Sequence, residues 1–441
     1  MKICVIGTGY VGLVGSAVFA NWGNKVVGVD IDEKKISKIK SGDMPIYEPG
    51  LKELVSKNIK NKHLSFTTNL AEAVKESEVI FICVGTPSGQ TGAADLNAVW
   101  TVAKEIARVM NNYKVVVVKS TVPVGTNEEV ERIIKGIVGE KPEFDVVSCP
   151  EFLREGYSIE DSNKTDRVVI GGKSQKGINK VKEIYAHLGA PVVECDLRSS
   201  EMIKYASNAF LATKISFINE IGQVCERAGA DVINVAEGMG LDSRIGPRFL
   251  HAGLGYGGSC DPKDVEALYR TSTDQAYDFR LLRGVMEVNE QQRTHFVDRV
   301  RKYFGNLADR EIACFGLAFK ENTDDVRKSV AIEVIKLLRG EGVNIRAFDT
   351  VAEKNAKKEL GSTGIRYVRD PYEAVKGAEA LCILTEWKEF TKLDFKKIGR
   401  LLKNKVIFDG RNILEAKKMQ DLGFSYFAVG RGNLSRVNGA N

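Results

Sequence analysis

The sequence predicts an α/β fold in which two doubly wound domains are joined by a long central helix and a helical middle domain. Short β-branched runs alternate with helical stretches in the first third of the chain and again in the last third. Between these two regions lies a helical stretch without proline. A chain of 441 residues is too long to fold around a single hydrophobic core, so several domains are expected. We therefore expect domains at 1–198, 199–305 and 306–441.

The first domain is predicted to begin with a strand over Lys2–Ile6 and a helix of small and apolar residues over 12–22. The strands predicted to follow are rich in valine and isoleucine, as buried parallel strands are. They are 25–30, 79–84, 115–119, 146–148 and 167–170.

The middle domain is predicted to begin with a helix over 199–228, with Ser199 as its cap, Glu201 as an early carboxylate and Gly229 as the residue that ends it. About 28 helical residues at 1.5 Å each span about 42 Å, enough to connect two domains. Strands resume at 311–315, 344–347, 380–384 and 405–408, and the Gly- and Asn-rich tail 430–441 is expected to be frayed.

Composition narrows the function classes. Apolar residues make up 43% and charged residues 28% of the chain, typical of a soluble globular protein, and the net charge of +6 suits a small anionic ligand. No basic run or zinc-type spacing indicates nucleic acid or a metal site, and the lysines of 396–405 are interpreted as a solvated helix face. No leader or membrane-length apolar run is seen, which predicts a cytoplasmic protein without a membrane partner.

The eight cysteines are scattered and form no CxxC pair, so we expect no disulfide framework and a reducing compartment. Four of them lie in apolar, strand-like runs and are expected to be small buried hydrophobes: Cys4, Cys83, Cys314 and Cys382.

Gly7-Thr8-Gly9-Tyr10-Val11-Gly12 follows a strand and opens a helix, and the next strand ends in Asp30. This context predicts a Rossmann-like dinucleotide site, with the pyrophosphate at the helix N-terminus and the acid on the ribose. The alternative is a glycine turn that only packs. Asp30 repels a 2′-phosphate and favours NAD over NADP, whereas Lys34 and Lys35 argue the other way.

Two further predicted strands are each followed by a hydroxyl residue and a proline, in Gly85-Thr86-Pro87 and in Ser120-Thr121-Val122-Pro123. Ligands of such sheets bind at the carboxyl ends of the strands. We expect these threonines to contact cofactor or substrate, the alternative being ordinary turn chemistry.

The stretch Gly255-Tyr256-Gly257-Gly258-Ser259-Cys260 places a thiol in a glycine-rich turn, with Lys263 and Asp264 just beyond it. A thiol near a cation can be held as a nucleophilic thiolate. Together with a nicotinamide site, it predicts oxidation of an alcohol past the aldehyde through an enzyme-bound thioester.

Two pairs of residues spaced four apart are further candidates: Glu151 with Glu155, and Lys204 with Asn208 on one helix face. None of the four histidines lies in a motif, so lysines and carboxylates must supply any acid–base catalysis. As an alternative, the two glutamates are surface charges and the lysine is merely solvated.

Several motifs taken together resemble the UDP-glucose/GDP-mannose dehydrogenase family over residues 1 to about 412. They are the glycine fingerprint at 7–13, Pro150-Glu151-Phe152-Leu153-Arg154-Glu155-Gly156, Glu201-Met202-Ile203-Lys204 with Asn208, the Cys260 loop with Pro262-Lys263-Asp264, and Phe319-Lys320 with Thr323-Asp324-Asp325 and Arg327.

The resemblance implies a four-electron oxidation of UDP-glucose by two NAD⁺, through a thiohemiacetal and a thioester on Cys260. Lys204 and Asn208 would stabilise the oxyanion, and Asp264 would take part in proton transfer. Glu151 would be the base for thioester hydrolysis, and Thr121 would hold the water.

The expected cofactor-binding residues are Gly7, Gly9, Tyr10, Val11, Gly12, Asp30, Lys35, Thr86, Thr121, Glu155, Lys263 and Arg327. The expected substrate-binding residues are Glu151, Phe152, Leu153, Glu155, Lys204, Asn208, Arg244, Phe249, Tyr256, Gly257, Cys260, Phe319, Lys320 and Arg411. Arg244 resembles a residue donated across a dimer interface on the long helix, which implies a homodimer or a higher oligomer.

Two positions depart from the family pattern. Cys149 stands where Asn usually precedes Pro-Glu-Phe-Leu, and Asp261 stands where an apolar residue usually follows the nucleophile. A carboxylate beside Cys260 disfavours a thiolate unless it faces solvent or a cation.

Three alternatives stay open: oxidation of UDP-N-acetylhexosamines or GDP-mannose, a two-electron 3-hydroxyacid dehydrogenase, and a non-catalytic NAD or nucleotide-sugar sensor.

Overall fold

The computed structural model describes residues 1–89 and 92–432, which pack as two compact units. The first unit comprises Met1–Ser207 and Glu266–Tyr277, and the second comprises Asn208–Val265 and the chain from Asp278 onward. The predicted boundaries of three domains stay a prediction. Across the described ranges, no helix is both long and apolar enough to traverse a bilayer.

The sheet of the first unit has eight strands within the described residues. They are β1 Lys2–Ile6, β2 Lys25–Val29, β3 Leu64–Thr67, β4 Val79–Ile82, β5 Lys114–Val118, β6 Phe144–Ser148, β7 Val168–Gly172 and β8 Val192–Cys195. Their order in the sheet is β3-β2-β1-β4-β5-β6-β7-β8. Neighbouring strands are parallel, apart from the antiparallel pair β6–β7.

Helices cover both faces of this sheet. Alternate residues of β1 enter different clusters, Ile3 and Val5 one and Cys4 and Ile6 the other, because successive side chains of a strand point to opposite faces. The helices are α1 Tyr10–Asn21, α2 Glu33–Lys40, α3 Leu51–Lys60, α4 Leu70–Glu76, α5 Asn97–Val109, α6 Thr126–Val138, α7 Ser158–Asn163 and α8 Gln175–Tyr185, with a 3₁₀ turn at Ala186–Leu188.

Four helices follow: α9 Leu197–Ala228, α10 Val232–Gly240, α11 Asp261–Asp274 and α12 Arg280–Phe304. The 32 residues of α9 make it about 48 Å long, and the division between the units falls within it.

The predicted start of this helix is wrong. Asp196, not Ser199, provides the cap, because its carboxylate accepts hydrogen bonds from the N–H and hydroxyl of Ser199. Glu201 does not serve the first turn of α9, since its carboxylate accepts from the backbone N–H groups of Gly125 and Asn127.

The second unit contains a parallel sheet, six-stranded within the described residues, in the order β11-β10-β9-β12-β13-β14. Its strands are β9 Glu311–Phe315, β10 Asn344–Phe348, β11 Ile365–Tyr367, β12 Ala380–Ile383, β13 Val406–Asp409 and β14 Ser425–Ala428. Its other helices are α13 Val330–Gly340, α14 Glu353–Leu360, α15 Pro371–Val375, α16 Lys388–Thr391, α17 Phe395–Leu401 and α18 Ala416–Asp421.

The predicted fold class is confirmed, and the predicted strands lie within two residues of those in the structure. Of the tail that was expected to fray, Gly430 and Arg431 are held by the backbone of Val232 and the carboxylate of Asp231. Residues 433–441 lie outside the described residues.

A buried carboxylate fastens the end of α9 inside the second unit. Glu226 pairs with His295 at 2.9 Å and with Arg299, and it accepts a hydrogen bond of 2.7 Å from the Gly430 N–H. Burial raises the pKa of Glu226, but these partners outweigh burial and lower it to about 2.

Replacing Glu226 with Gln should lower the free energy of unfolding at pH 7 by about 3 kcal/mol, because the largely buried Arg299 guanidinium loses its carboxylate partner. The folded pKa lies below the ordinary 4.5. The wild type therefore has the full stabilisation above pH 4.5 and loses it as the pH falls toward 2. Urea denaturation at several pH values measures both effects. Glu220→Gln, an exposed change on the same helix, is the control, and an equal loss in both variants would contradict this role.

Candidate active site

The turn between β1 and α1 has the shape that a dinucleotide requires. A Cβ on Gly12 would lie 1.8 Å from the Gly7 carbonyl oxygen, so only glycine permits this packing. A Cβ on Gly9 would meet nothing within 4 Å, which leaves open space beside the backbone where a pyrophosphate can approach. Tyr10 and Val11 begin α1, whose N-terminus faces the same turn.

Asp30 follows β2 directly and is nearly buried. One carboxylate oxygen accepts from the Thr8 N–H at 2.9 Å, the Thr8 hydroxyl at 2.8 Å and the Lys35 ammonium at 2.8 Å. Burial raises the pKa of Asp30, but these hydrogen bonds outweigh burial and lower it, so the carboxylate is ionised at neutral pH. Lys35 is thus placed beside the predicted ribose site by its ion pair with Asp30.

The loops after β4 and β5 are joined to each other. The Thr86 hydroxyl donates to the Thr121 carbonyl at 2.8 Å, and the Ser120 hydroxyl donates to the Val84 carbonyl at 2.7 Å. Both predicted threonines therefore lie at the carboxyl edge of adjacent parallel strands.

Glu151 and Lys204 form an ion pair of 3.0 Å inside the first unit, with side chains that are 5% and 4% exposed. The other oxygen of Glu151 accepts from the Leu153 N–H at 2.6 Å. Burial raises the pKa of Glu151, but the Lys204 charge and the Leu153 N–H outweigh burial and lower it. The alternative reading of these two residues as surface charges is wrong.

A cavity of about 50 Å³ adjoins the segment Glu151–Leu153 and is bordered by Lys119, Cys149 and Tyr185. It has room for a water molecule. The Cys149 thiol lies 3.8 Å from the Tyr185 hydroxyl, and burial raises its pKa. The residue that replaces the usual Asn is therefore an un-ionised thiol in the wall of this cavity.

Glu155 is buried in a turn that sequence analysis did not connect to the glycine fingerprint. The Gly156 N–H points at the Tyr10 hydroxyl and at the carboxylate of Glu48, each at 2.6 Å, and the Ser158 N–H donates to Glu48 at 2.7 Å. Glu48 was missed because a glutamate before Pro-Gly has the appearance of a surface turn.

Cys260 lies directly before α11 in the second unit, and its carbonyl accepts from the Asp264 N–H at 2.9 Å. This is the N-cap position, where the partial positive charge of the helix end favours a thiolate. Gly258 has a φ of 88°, and a Cβ there would lie 2.6 Å from the Phe319 ring. Asp261 is the first residue of α11, where the helix dipole stabilises a carboxylate.

Asp264 is buried four residues after the thiol and joins two other predicted residues. One of its oxygens pairs with the Lys263 ammonium at 2.6 Å, and the other accepts from the Asn208 amide at 2.7 Å. Lys263 was expected nearer the cofactor, and in the second unit its ammonium is held by Asp264.

Three predicted ligand residues follow the carboxyl ends of two strands, Phe319 and Lys320 after β9 and Arg411 after β13. Arg411 donates to the carbonyl of Leu384 at 2.8 Å and of Phe319 at 3.2 Å, and it pairs with Glu386 at 3.1 Å. The Lys320 ammonium lies 5.7 Å from the centre of the Phe319 ring.

The remaining candidates differ in exposure. Tyr256 is buried, and its backbone N–H and carbonyl are hydrogen-bonded to the side-chain amide of Asn289. Phe249 has a left-handed φ of 66°, which is rare for an aromatic residue. Arg327 and Arg244 are exposed and pair with Asp325 and Asp242, each at 2.6 Å.

The dinucleotide turn of the first unit indicates a class of protein, the NAD-dependent dehydrogenases. Models of the UDP-glucose/GDP-mannose dehydrogenase family match the chain over its NAD binding domain at residues 1–189, its central domain at 198–291 and its UDP binding domain at 313–416. The chain belongs to this family, which confirms the predicted class, cofactor and reaction type.

Individual relatives agree over nearly the whole chain. The UDP-glucose 6-dehydrogenase TuaD of Bacillus subtilis is 49% identical, covering 98% of this chain and 93% of the relative. The UDP-glucose 6-dehydrogenase of Rhizobium meliloti is 47% identical, covering 98% and 100%. The solved structure of a UDP-glucose dehydrogenase from Pyrobaculum islandicum is 38% identical, has a TM-score of 0.90, and covers 98% of this chain and 97% of that chain.

Replacing Asp30 with Ala should weaken NAD binding about 10- to 100-fold, because the ribose hydroxyls lose an ionised acceptor and Thr8 loses its tether. Calorimetric titration with NAD⁺ measures the dissociation constant. Asp32→Ala, an exposed helix cap two residues along, is the matched control. If Asp30→Ala binds NAD⁺ as tightly as the wild type, this carboxylate does not contact the cofactor.

Proposed function

We propose that the protein is a UDP-glucose 6-dehydrogenase. The observation that carries the proposal is a cysteine at a helix N-cap in a chain that also has an NAD-type turn, and its relatives of 42% to 49% identity act on UDP-glucose. Neither a two-electron 3-hydroxyacid dehydrogenase nor a sensor requires Cys260. The prediction of a cytoplasmic location stays a prediction.

The reaction converts UDP-glucose, two NAD⁺ and water into UDP-glucuronate, two NADH and protons. NAD⁺, when bound, accepts the hydride that leaves C6 in each of the two oxidations. The Cys260 sulfur adds to the aldehyde carbon, and the thiohemiacetal oxygen then becomes the carbonyl of a thioester. Water attacks that carbonyl, the C–S bond breaks, and the thiol is regenerated.

Lys204 is suited to stabilise the oxyanion, and Glu151 is suited to act as the base for thioester hydrolysis. A buried ammonium stabilises an alkoxide or tetrahedral oxyanion strongly, since little water competes for it. While paired with Lys204, Glu151 is ionised but weakly basic. When Lys204 turns to an oxyanion, Glu151 loses part of that stabilisation, and its affinity for a proton from the attacking water rises.

Asp264 and Asn208 would act beside the thiol. Asn208 donates to Asp264 in the second unit, and it can donate equally to the substrate oxyanion. Asp264 would move the proton of the C6 hydroxyl in the first oxidation, together with Lys204 or an ordered water. Thr121 would hold the water that attacks the thioester.

Groups of the second unit would hold the nucleotide sugar. Arginine suits phosphate by bidentate donation, and Arg411 already bonds the Phe319 carbonyl beside Lys320. Phe249 and Tyr256 would line the pocket, and Arg327 would reach the cofactor.

The first experiment measures NADH formed per UDP-glucose consumed, together with the mass of the product, using purified protein and NAD⁺. Two NADH and a uronate are expected. UDP-N-acetylhexosamines and GDP-mannose are assayed in parallel. A preference for one of them would show that the protein acts on a different nucleotide sugar of the same enzyme family. Failure with all of them would overturn the enzyme proposal and leave the sensor alternative.

Cys260→Ser should still bind NAD⁺ and UDP-glucose but form uronate at least about a thousandfold more slowly, because a serine hydroxyl is a much poorer nucleophile at neutral pH. Turnover is followed by NADH absorbance and binding by calorimetry. Cys195→Ser, a change at a half-buried cysteine in the first unit, is the control and should keep full activity. Wild-type turnover by Cys260→Ser would remove the thioester route.

We also propose that the protein is a homodimer that uses α9. Phe210, Phe217 and Val224 recur at intervals of seven residues and are 63%, 46% and 59% exposed. Residues seven apart share one helix face, and exposed apolar side chains in a row are typical of an interface.

Replacing Phe210 and Phe217 together with Lys should convert the dimer to a monomer, because charges would enter an apolar contact. Sedimentation velocity measures the mass. Leu337→Lys, at an exposed apolar residue on α13, is the control. A dimer that survives the double substitution would place the interface elsewhere.

A further inference from the structure

Glu201 is a buried carboxylate that the mechanism above does not use. It lies on α9 and is 2% exposed. Its Oε2 accepts from the Gly125 N–H at 2.6 Å, and its Oε1 accepts from both the N–H and the side-chain amide of Asn127 at 2.7 Å. Burying this carboxylate costs hydration free energy, which its hydrogen bonds offset. We therefore expect Glu201 to fix a segment whose position the fold requires.

Those N–H groups belong to the start of α6, whose first turn has no partners of its own within the helix. Glu201 therefore caps α6 from another helix, in place of the side-chain cap that α6 lacks at Gly125. Gly125 has a φ of 95°, so the loop Thr121–Gly125 ends in a conformation that other residues rarely adopt. The far end of this loop is held by the bond from the Thr86 hydroxyl to the Thr121 carbonyl.

Glu201 lies three residues before Lys204, on the same face of the helix. One turn of α9 thus carries the carboxylate that holds the Thr121 loop and the ammonium that pairs with Glu151. The position of Thr121 relative to the pair Lys204–Glu151 depends on this turn, since both contacts are buried and hydrogen-bonded.

We propose that Glu201 is a positioning residue for thioester hydrolysis, because its carboxylate fixes the Thr121–Gly125 loop against the turn of α9 that carries Lys204. The proposal rests on the function proposed above. Glu201 contacts the start of α6, and it acts through Thr121, which would hold the water that attacks the thioester on Cys260. Loosening the loop should slow hydrolysis more than either oxidation.

The test is Glu201→Gln, which keeps the size of the side chain but turns an amide N–H toward backbone N–H groups. We expect kcat for uronate to fall about tenfold. The KM for UDP-glucose should stay within about threefold, because loosening the loop slows a step after binding. A pre-steady-state burst of NADH and a covalent adduct on Cys260, seen by intact-protein mass spectrometry, should appear.

Thr121→Ala should give the same burst and adduct, and the double variant should be no slower than Thr121→Ala. Glu201→Asp, which keeps a shorter carboxylate, should lie between the wild type and Glu201→Gln, and it serves if Glu201→Gln fails to fold. Glu129→Gln, at an exposed carboxylate on α6 paired with Arg132, should behave as the wild type.

Wild-type turnover by Glu201→Gln would overturn the proposal. So would a lower kcat without an adduct, or losses that add to those of Thr121→Ala, because those results describe a merely structural cap. The stoichiometry of the wild type is measured in the same run. If UDP-glucose is not the substrate, the variants are compared on whichever nucleotide sugar the wild type oxidises, so the two proposals fail separately.

Discussion

The buried ion pair between Lys204 and Glu151 is the constraint on which the candidate site residues of the first unit depend. Removing two charges from water costs several kcal/mol per ion, and an apolar pair of the same size would often be as stable or more so. The fold nevertheless holds these groups at 3.0 Å and 4–5% exposure. Such a pair favours a chemical role over a structural one, because its charges are unscreened and already oriented.

The same face of α9 makes a series of polar contacts with the site segments. Glu201 holds the start of α6, Lys204 pairs with Glu151 after β6, and Asn208 bonds Asp264 beyond the cysteine loop. Glu201 and Lys204 lie three residues apart, so one turn of the helix orients two segments of the first unit that are far apart in sequence.

The two sheets repeat one design, yet they differ where a dinucleotide would bind. Gly7 and Gly316 both follow the first strand with φ near 95°, and each donates to the last residue of the second strand at 2.8 Å. In the first unit a helix begins at once, at Tyr10. In the second the next helix begins only at Val330, after the loop 316–329, and its N-cap residue Ser329 donates to the Leu317 carbonyl at 2.9 Å. There Asp349 takes the place of Asp30, and its carboxylate is occupied by backbone N–H groups and the Trp387 indole. We infer that this edge suits a different ligand from NAD.

Sequence predicts features whose partners are close in the chain. The sequence predicts the valine-rich inner strands, the glycine fingerprint and the Cys260 turn. It does not predict the strands β3, β8, β11 and β14, because each is short and most are only partly buried. Glu201 was misread because a carboxylate just after serines resembles a local capping pattern, and its true partners lie about 75 residues earlier. Glu48, whose partners lie over 100 residues later, carried no local signal at all. The residue type determines which chemistry a side chain can perform, but its role depends on the buried group that it contacts. The packing of the whole unit determines that contact.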